Sequence, residues 1–415
     1  MPLISPFAGL RPLPEKANEV VAPPYDVLNT EEARERAKGK PWSFLHISKP
    51  EIDLPKGTDP YDASVYQTGS DNLQKMIKEG ILKRDEQPCY YFYQLQMGDH
   101  VQTGLVAAAS VEAYDHDRIK KHEFTRPVKE DDRVRQIDAL NAQTGPVFLA
   151  YRGCDQVNAI VNEVTAGEPE MNVTADDGVR HTLWVVRDHD KITTLTTAFS
   201  NIGTVDTLYV ADGHHRSAAG SRVGAMRKKA NPHHKGNESY NYFLSVMFPA
   251  EQLEILDYNR VVKDLNGHSA EQLLTLLDKN FTVKPASGQY KPTQPGEFGM
   301  YLDSKWYQLN INPDLIPTDP VKRLDVSLLA DNLIEPFLGI SDPRTDDRID
   351  FVGGIRGLGE LEKRVNSGEM AIAFSMYATR MEDLMAVADA GEVMPPKSTW
   401  FEPKLADGVV SHVLD

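Results

Sequence analysis

The sequence predicts a mixed α/β (α+β) fold, and three observations predict it. Thr207-Leu208-Tyr209-Val210-Ala211 reads as an apolar strand that stops at Asp212-Gly213, and helical spacing starts at once behind it. Cys89 to Gln96 and Gly104 to Val111 flank Gly98-Asp99 as the arms of a hairpin flank its turn. The 415 residues are 40% hydrophobic and 26% charged, ordinary for a globular chain and long enough for two or three lobes with cores.

The elements follow in order. The first segment is proline-rich and irregular, through Ala22-Pro23-Pro24-Tyr25-Asp26-Val27. Double proline favours an extended chain and removes backbone donors. Helices are expected near residues 30–38 and 66–79, ahead of the hairpin. A helix starts near Thr125 with Pro127 in its first turn, and Val134, Ile137 and Leu140 form its buried stripe. Gly145-Pro146 ends it, and 147–151 resumes as strand. Residues 155–166 read as helix and 183–187 as a short strand. Behind Gly213, the residues Ala219, Val223, Met226 and Ala230 recur at helical spacing, and Arg227, Lys228 and Lys229 suit the negative end of that helix. Residues 242–248 form another strand.

A new unit is expected near residue 250, with Ser269-Ala270-Glu271-Gln272 as a capping box. Strands are expected near 299–302, 306–310 and 371–377, and helices over 325–338, 359–366 and 381–390. The expected organisation is therefore an N-terminal lobe over 1–250, a second α+β lobe over 251–380, and a C-terminal helix and tail over 381–415 that pack back on the body.

Composition removes several function classes. Lys plus Arg is 45 and Asp plus Glu is 61, so the net charge is −16, which opposes broad contact with nucleic-acid backbone. Cys89 and Cys154 are the two cysteines, which make neither a disulfide framework nor a zinc-binding pair. Met1-Pro2-Leu3-Ile4-Ser5-Pro6-Phe7 lacks a basic region followed by an apolar run. No apolar run approaches the ~20 residues that span a bilayer. The expectation is a cytoplasmic protein without membrane contact, and no segment specifies an oligomeric state.

The strand-to-helix corner at Asp212-Gly213-His214-His215-Arg216 carries the strongest chemical signal. The first amides of a helix lack internal partners, and the dipole favours negative charge there. Gly213 tolerates unusual dihedrals and carries no Cβ to block a ligand. Arg216 offers a two-pronged grip on phosphate. Asp212 is placed to hold a metal or accept a proton. The structural alternative is an Asp212 cap with surface histidines. A metal shared by His214 and His215 is disfavoured, because neighbours on a helix diverge by ~100°. Nucleophilic catalysis lacks a cysteine or a G-x-S-x-G setting here.

Three further segments carry candidate side chains. In His122-Glu123-Phe124-Thr125-Arg126, Glu123 suits a general base or metal ligand and Arg126 a phosphate contact, against a solvated turn that caps a helix. Tyr25 and Asp26 are either part of a packed arm or a rigid turn presented to a ligand. In Pro395-Pro396-Lys397-Ser398-Thr399-Trp400-Phe401, the glycine spacing of a phosphate-binding loop is missing. Trp400 and Phe401 suit docking, and Lys397, Ser398 and Thr399 suit the wall or lid of a site.

These four motifs in order, the last continuing through Glu402-Pro403-Lys404-Leu405, resemble a widespread prokaryotic family catalogued as a conserved domain of unknown function. The 212–216 corner also resembles the superfamily of ParB-like nucleotide-binding proteins, sulfiredoxin and a free-serine kinase, and the archaeal-type serine kinase has the same Asp-Gly-His-His-Arg string. Sulfiredoxin chemistry needs a cysteine where His214 stands. The resemblance implies a ParB/sulfiredoxin-like nucleotide-binding core within the N-terminal lobe. It also implies a phosphotransferase that uses ATP or ADP with Mg on a small hydroxylated metabolite, free L-serine leading. Gly213, His214, His215, Arg216, Arg126 and Lys397 would hold the phosphates, Asp212 the metal, and Glu123 and Asp212 would act on the acceptor. The competing readings are a non-catalytic nucleotide-binding regulator and, against the acidic charge, DNA binding or nuclease action.

Overall fold

A computed structural model gives the fold and describes residues 2–200 and 202–415. Met1 and Asn201 lie outside the described residues. The fold is mixed α and β, in two compact units. The first runs to Leu253 and takes back Pro403–Asp415, and the second is Glu254–Glu402. Among the described residues, no helix is long and apolar enough to cross a membrane.

The first unit is built on a nine-stranded sheet. In spatial order its strands are Ile119–Lys120, Leu208–Asp212, Val147–Tyr151, Tyr242–Pro249, His100–Ser110, Tyr90–Met97, Arg180–Val186 and Met171–Thr174. Ile4–Ser5 pairs with the end of His100–Ser110. The hairpin forms where the sequence predicts it, with Gly98 in the left-handed region its turn requires. Its aromatic arm is buried throughout: Tyr90, Tyr91, Phe92 and Tyr93 are at most 1% exposed. Such bulky strand residues supply most of the apolar burial that fixes the sheet. The helix His189–Ala198 was not expected. Its polar run Thr193-Thr194 hides the period, and Asp188 caps it by accepting from the Lys191 amide at 2.9 Å.

Two helices position the site. Pro127–Leu140 starts one residue inside its Arg126 cap with proline first, as expected, and buries Val134, Ile137 and Leu140. His214–Ala230 buries Ala219 and Val223 of the predicted stripe but not its far end. Ala219, Gly220, Val223 and Gly224 face inward, while Met226 is 50% exposed and Ala230 is exposed. Close approach explains the change. A Cβ on Gly224 would stand 2.7 Å from the Tyr240 carbonyl oxygen, and one on Gly220 2.9 Å from the Phe243 Cβ. The helix therefore meets the neighbouring strand on glycine rather than on larger side chains. The two helices share a small core of Val134, Ile137, Ala219, Val223 and Leu414.

The second unit carries an all-antiparallel six-stranded sheet in the order Phe281–Pro285, Lys305–Ile311, Glu297–Leu302, Ile372–Met376, Tyr258–Val262 and Ile349–Gly353. The capping box at Ser269 and Gln272 forms as predicted. The expected continuous helix over 325–338 is interrupted by a π segment, Ala330–Ile334, before Glu335–Leu338. Pro336 cannot donate to the carbonyl four residues earlier, and the wider turn absorbs that defect. The Asn332 carbonyl left over accepts from Asn280 Nδ2 at 2.8 Å.

Candidate functional site

The corner stands at the carboxyl end of Leu208–Asp212. The adjacent strand Ile119–Lys120 runs parallel to it and delivers His122 and Glu123 to the same edge. Ligands of open α/β sheets bind beyond the carboxyl ends of parallel strands. A bulge helps to aim the end of Leu208–Asp212. Val210 pairs with Leu149 and Asp212 with Phe148, so Ala211 is extra, and the strand bends where Asp212 leaves it.

Gly213 is the residue ahead of the helix, at φ 95°, and no side chain caps the helix. The expected alternative, an Asp212 cap, does not form. The helix of Pro127–Leu140 also starts without a side-chain cap. The Arg126 amide donates to His215 Nε2 at 3.1 Å, Arg222 reaches Glu130 and Asp131, and Arg227 reaches Asp138 and Asn141. Contacts that advance together along both helices mean the helices run in the same direction. Two positive helix ends therefore lie side by side.

Arg216 is the hub. Its side chain is 10% exposed; one guanidinium nitrogen lies 3.7 Å from both Asp26 Oδ2 and Asp212 Oδ1, and the other donates to the Pro146 carbonyl. Burial opposes its charge, but Asp26 and Asp212 overcome that and strengthen it. A Cβ on Gly213 would stand 3.0 Å from Arg216 Nε, so the guanidinium folds over the glycine. The space that the sequence reading left open for a ligand at Gly213 is thus partly filled by Arg216 itself.

Asp212 faces two cations. Lys404 Nζ donates to its Oδ2 at 3.1 Å, and Arg216 stands on Oδ1. Burial resists ionisation, but Lys404 and Arg216 hold the carboxyl well below the usual range. Lys404 is the tail lysine of this site, and the sequence reading missed it. It placed that role on Lys397, which stands in the second unit with its ammonium over the Tyr258 ring and its carbonyl accepting from Arg260. The Pro-Lys-Leu ending of the quoted motif was the available signal.

The histidines diverge as expected. His215 accepts on Nε2, so its neutral form carries the proton on Nδ1. His214 turns inward, 4% exposed, with Nδ1 3.7 Å from Glu123 Oε2 and its ring edge-on to His122 at 4.5 Å. Burial, then the neighbouring His122, push His214 far down, and burial pushes His122 to about 4, so both are neutral at pH 7. Among the described residues, His214 Nε2 and His122 Nδ1 have no hydrogen-bond partner. Glu123 is half exposed, Arg126 is exposed beside it, and Phe124 is 77% exposed between them.

Tyr25 and Asp26 lie in a turn directly after Pro24. Asp26 meets Arg216, and the Tyr25 ring carries the Arg133 guanidinium at 3.9 Å. Arg133 in turn bonds Asp132 at 2.7 Å. Among the described residues no group of three or more His, Cys, Asp or Glu side chains converges as a metal site. With both Asp212 oxygens facing cations, the corner does not fit a resident Mg ion.

A family described as "Protein of unknown function (DUF1015)" matches residues 4–327. The chain belongs to that family. The match includes the 212–216 corner and Glu123 and ends before Lys404. No curated protein matches the chain. Among solved structures it is similar to a free serine kinase in complex with AMP, at 15% identity and TM-score 0.34, covering 71% of this chain and 86% of that one. It is also similar to a conserved hypothetical protein from Pyrococcus furiosus, at 16% identity and TM-score 0.33, covering 73% and 93%. C-terminally truncated SbnI from Staphylococcus aureus gives 11% identity and TM-score 0.37, covering 72% and 82%.

Proposed function

We propose that the corner binds the phosphates of ATP or ADP and that the protein transfers one phosphoryl group to a small hydroxylated metabolite, free L-serine leading. The observation that supports this best is the pair of uncapped helix starts lying side by side, with Arg216 and Lys404 both on Asp212, the residue before Gly213. Phosphoryl transfer needs positioning and charge neutralisation more than covalent help from the protein. The amides of His214, His215 and Arg216 face the phosphates, and Arg126 adds charge from the neighbouring helix. Lys404 takes the part given to Lys397 by the sequence.

Glu123 is the base. It takes the acceptor hydroxyl proton while the oxygen bonds to the terminal phosphorus and the bond to the bridging oxygen breaks, releasing ADP from ATP or AMP from ADP. Neutral His214 lies against Glu123 and orients it. Mg enters on the nucleotide, as part of the substrate. Asp212 holds Lys404 and Arg216 in place rather than supplying a metal cage. The acceptor rests on the sequence resemblance at the corner alone.

The test incubates the protein with ATP or ADP, Mg²⁺ and a panel of hydroxylated amino acids, read by mass spectrometry. Phosphoserine and ADP or AMP in equal amounts are expected, with none from Glu123→Gln. Nucleotide binding without any phosphorylated product would leave a regulatory nucleotide-binding protein. Unchanged nucleotide affinity in Arg216→Ala would remove the phosphate site itself.

A further inference from the structure

Asp407 is a buried acid that the proposed chemistry does not use. It is 2% exposed, and among the described residues neither carboxyl oxygen has a hydrogen-bond partner within 3.5 Å. The returning chain puts it there: Asp407 and Ala22 exchange both backbone hydrogen bonds, at 2.9 and 3.1 Å. The carboxyl lines a cavity of about 30 Å³ with Ser48, Arg133, Thr144, Arg216 and Tyr25. Ser48 Oγ is likewise buried and turns to the carboxyl, outside hydrogen-bond geometry. Two guanidiniums therefore share with this acid a small cavity whose remaining wall includes the apolar Ile137, Val147, Phe243 and Leu244, while their own bonds go elsewhere: Arg133 to Asp132, Arg216 to Pro146. A buried acid without partners is costly in either protonation state and is uncommon unless something else requires it.

We propose that Asp407 is a positioning residue that sets, through Arg216, how much positive charge the corner offers to an anion. This rests on the phosphate-site reading above. Ionised, Asp407 offsets Arg216 and competes with a bound phosphate. Protonated, it leaves Arg216 to the ligand. The groups that face it are Arg216, Asp26 and Arg133, with the Ser48 hydroxyl and the phenols of Tyr25 and Tyr93. Burial is the largest influence and raises the carboxyl to about 7, with Asp26 adding to the rise and the two arginines opposing it. The exchange of state thus falls near neutral pH. Linkage is reciprocal, so an anion on Arg216 raises Asp407 further and draws in a proton. A one-unit rise on binding corresponds to tenfold in affinity.

The experiment measures ATP binding calorimetrically from pH 6 to 8.5, in buffers of different ionisation enthalpy, for the wild type and Asp407→Asn. The amide keeps the backbone pair and the shape. Relative to Asp407→Asn, wild-type affinity is expected to fall about tenfold as pH rises through 7, with proton uptake near pH 7.5 that the variant lacks. Equal pH profiles and equal proton uptake in the two proteins would overturn the proposal while leaving the phosphate site intact. Absence of ATP binding in both at every pH would overturn the phosphate site. Asp407 is then read directly, by carboxyl ¹³C titration of the wild type with the Arg216 Nε–H resonance followed alongside. Titration near 7 with a concerted Arg216 shift supports the coupling, and titration in the ordinary carboxylate range or a still Arg216 signal refutes it.

Discussion

Lys404→Met removes the lysine paired with Asp212 while keeping most of the side-chain volume. The pair stands at 3.1 Å with side chains 26% and 32% exposed. Coulomb attraction at that distance is about 5 kcal/mol at an effective dielectric of about 20 and about 1 kcal/mol in bulk water. Desolvation and the ordering of a long side chain offset part of it, so a net loss of about 1–2 kcal/mol is expected. For a unit of this size that lowers Tm by about 2–8 °C. The sign with pH follows from Asp212, whose folded-state carboxyl is held below its usual range by the two cations. Its stabilisation is fully present above the unfolded value of about 4 and is lost as pH falls through the folded one. The gap between wild type and variant should therefore be constant from pH 8 down to about 4 and close only at lower pH, as the folded-state carboxyl takes up its proton. Thermal melts across that range, with Lys404→Arg as the charge-preserving control, decide it. Equal melting at pH 7, or a gap that widens as pH falls below 4, refutes the pairing. In the same variant ATP affinity should drop about tenfold, as loss of one phosphate-facing charge of about 1.4 kcal/mol implies.

Other expectations follow from the same geometry. Gly213→Ala places a Cβ against Arg216 at φ 95° and should cost about 1–3 kcal/mol in urea unfolding, together with nucleotide binding; wild-type stability would show that the corner relaxes freely. Gly224→Ala, whose Cβ would stand 2.7 Å from a backbone carbonyl, should cost a similar ~1–3 kcal/mol without touching the site directly. His122, His181 and His412 are each pushed by burial to about 4. Their unfolded forms bind protons first, so stability is lost as pH falls from about 6.5 towards 4, by up to about 3 kcal/mol for each. His122→Asn should remove its share of that slope in urea midpoints measured against pH, and an unchanged slope would show that His122 is not its source.

Local chemistry was legible in the chain wherever neighbours in sequence suffice to state it. The hairpin around Gly98-Asp99, the capping box at Ser269, the proline at the head of Pro127–Leu140 and the Asp-Gly corner each follow from backbone preference over a few residues. The π segment and the glycine face of His214–Ala230 did not, because they answer to a missing donor and to a strand that packs from elsewhere.

By itself, then, the sequence determined that an apolar strand ends at Asp212 and that a helix with an open anion end begins after Gly213, since strand burial, the glycine dihedral and helix polarity are local properties. Tertiary structure alone decided that a second helix start stands beside the first. It also decided that Arg216 lies folded over Gly213 between Asp26 and Asp212, and that the chain returns from 403 to bring Lys404 and Asp407 into the same place. The reason is physical: charges separated by some 190 residues along the chain, as Asp212 and Lys404 are, act on one another only through distance and burial, and folding sets both.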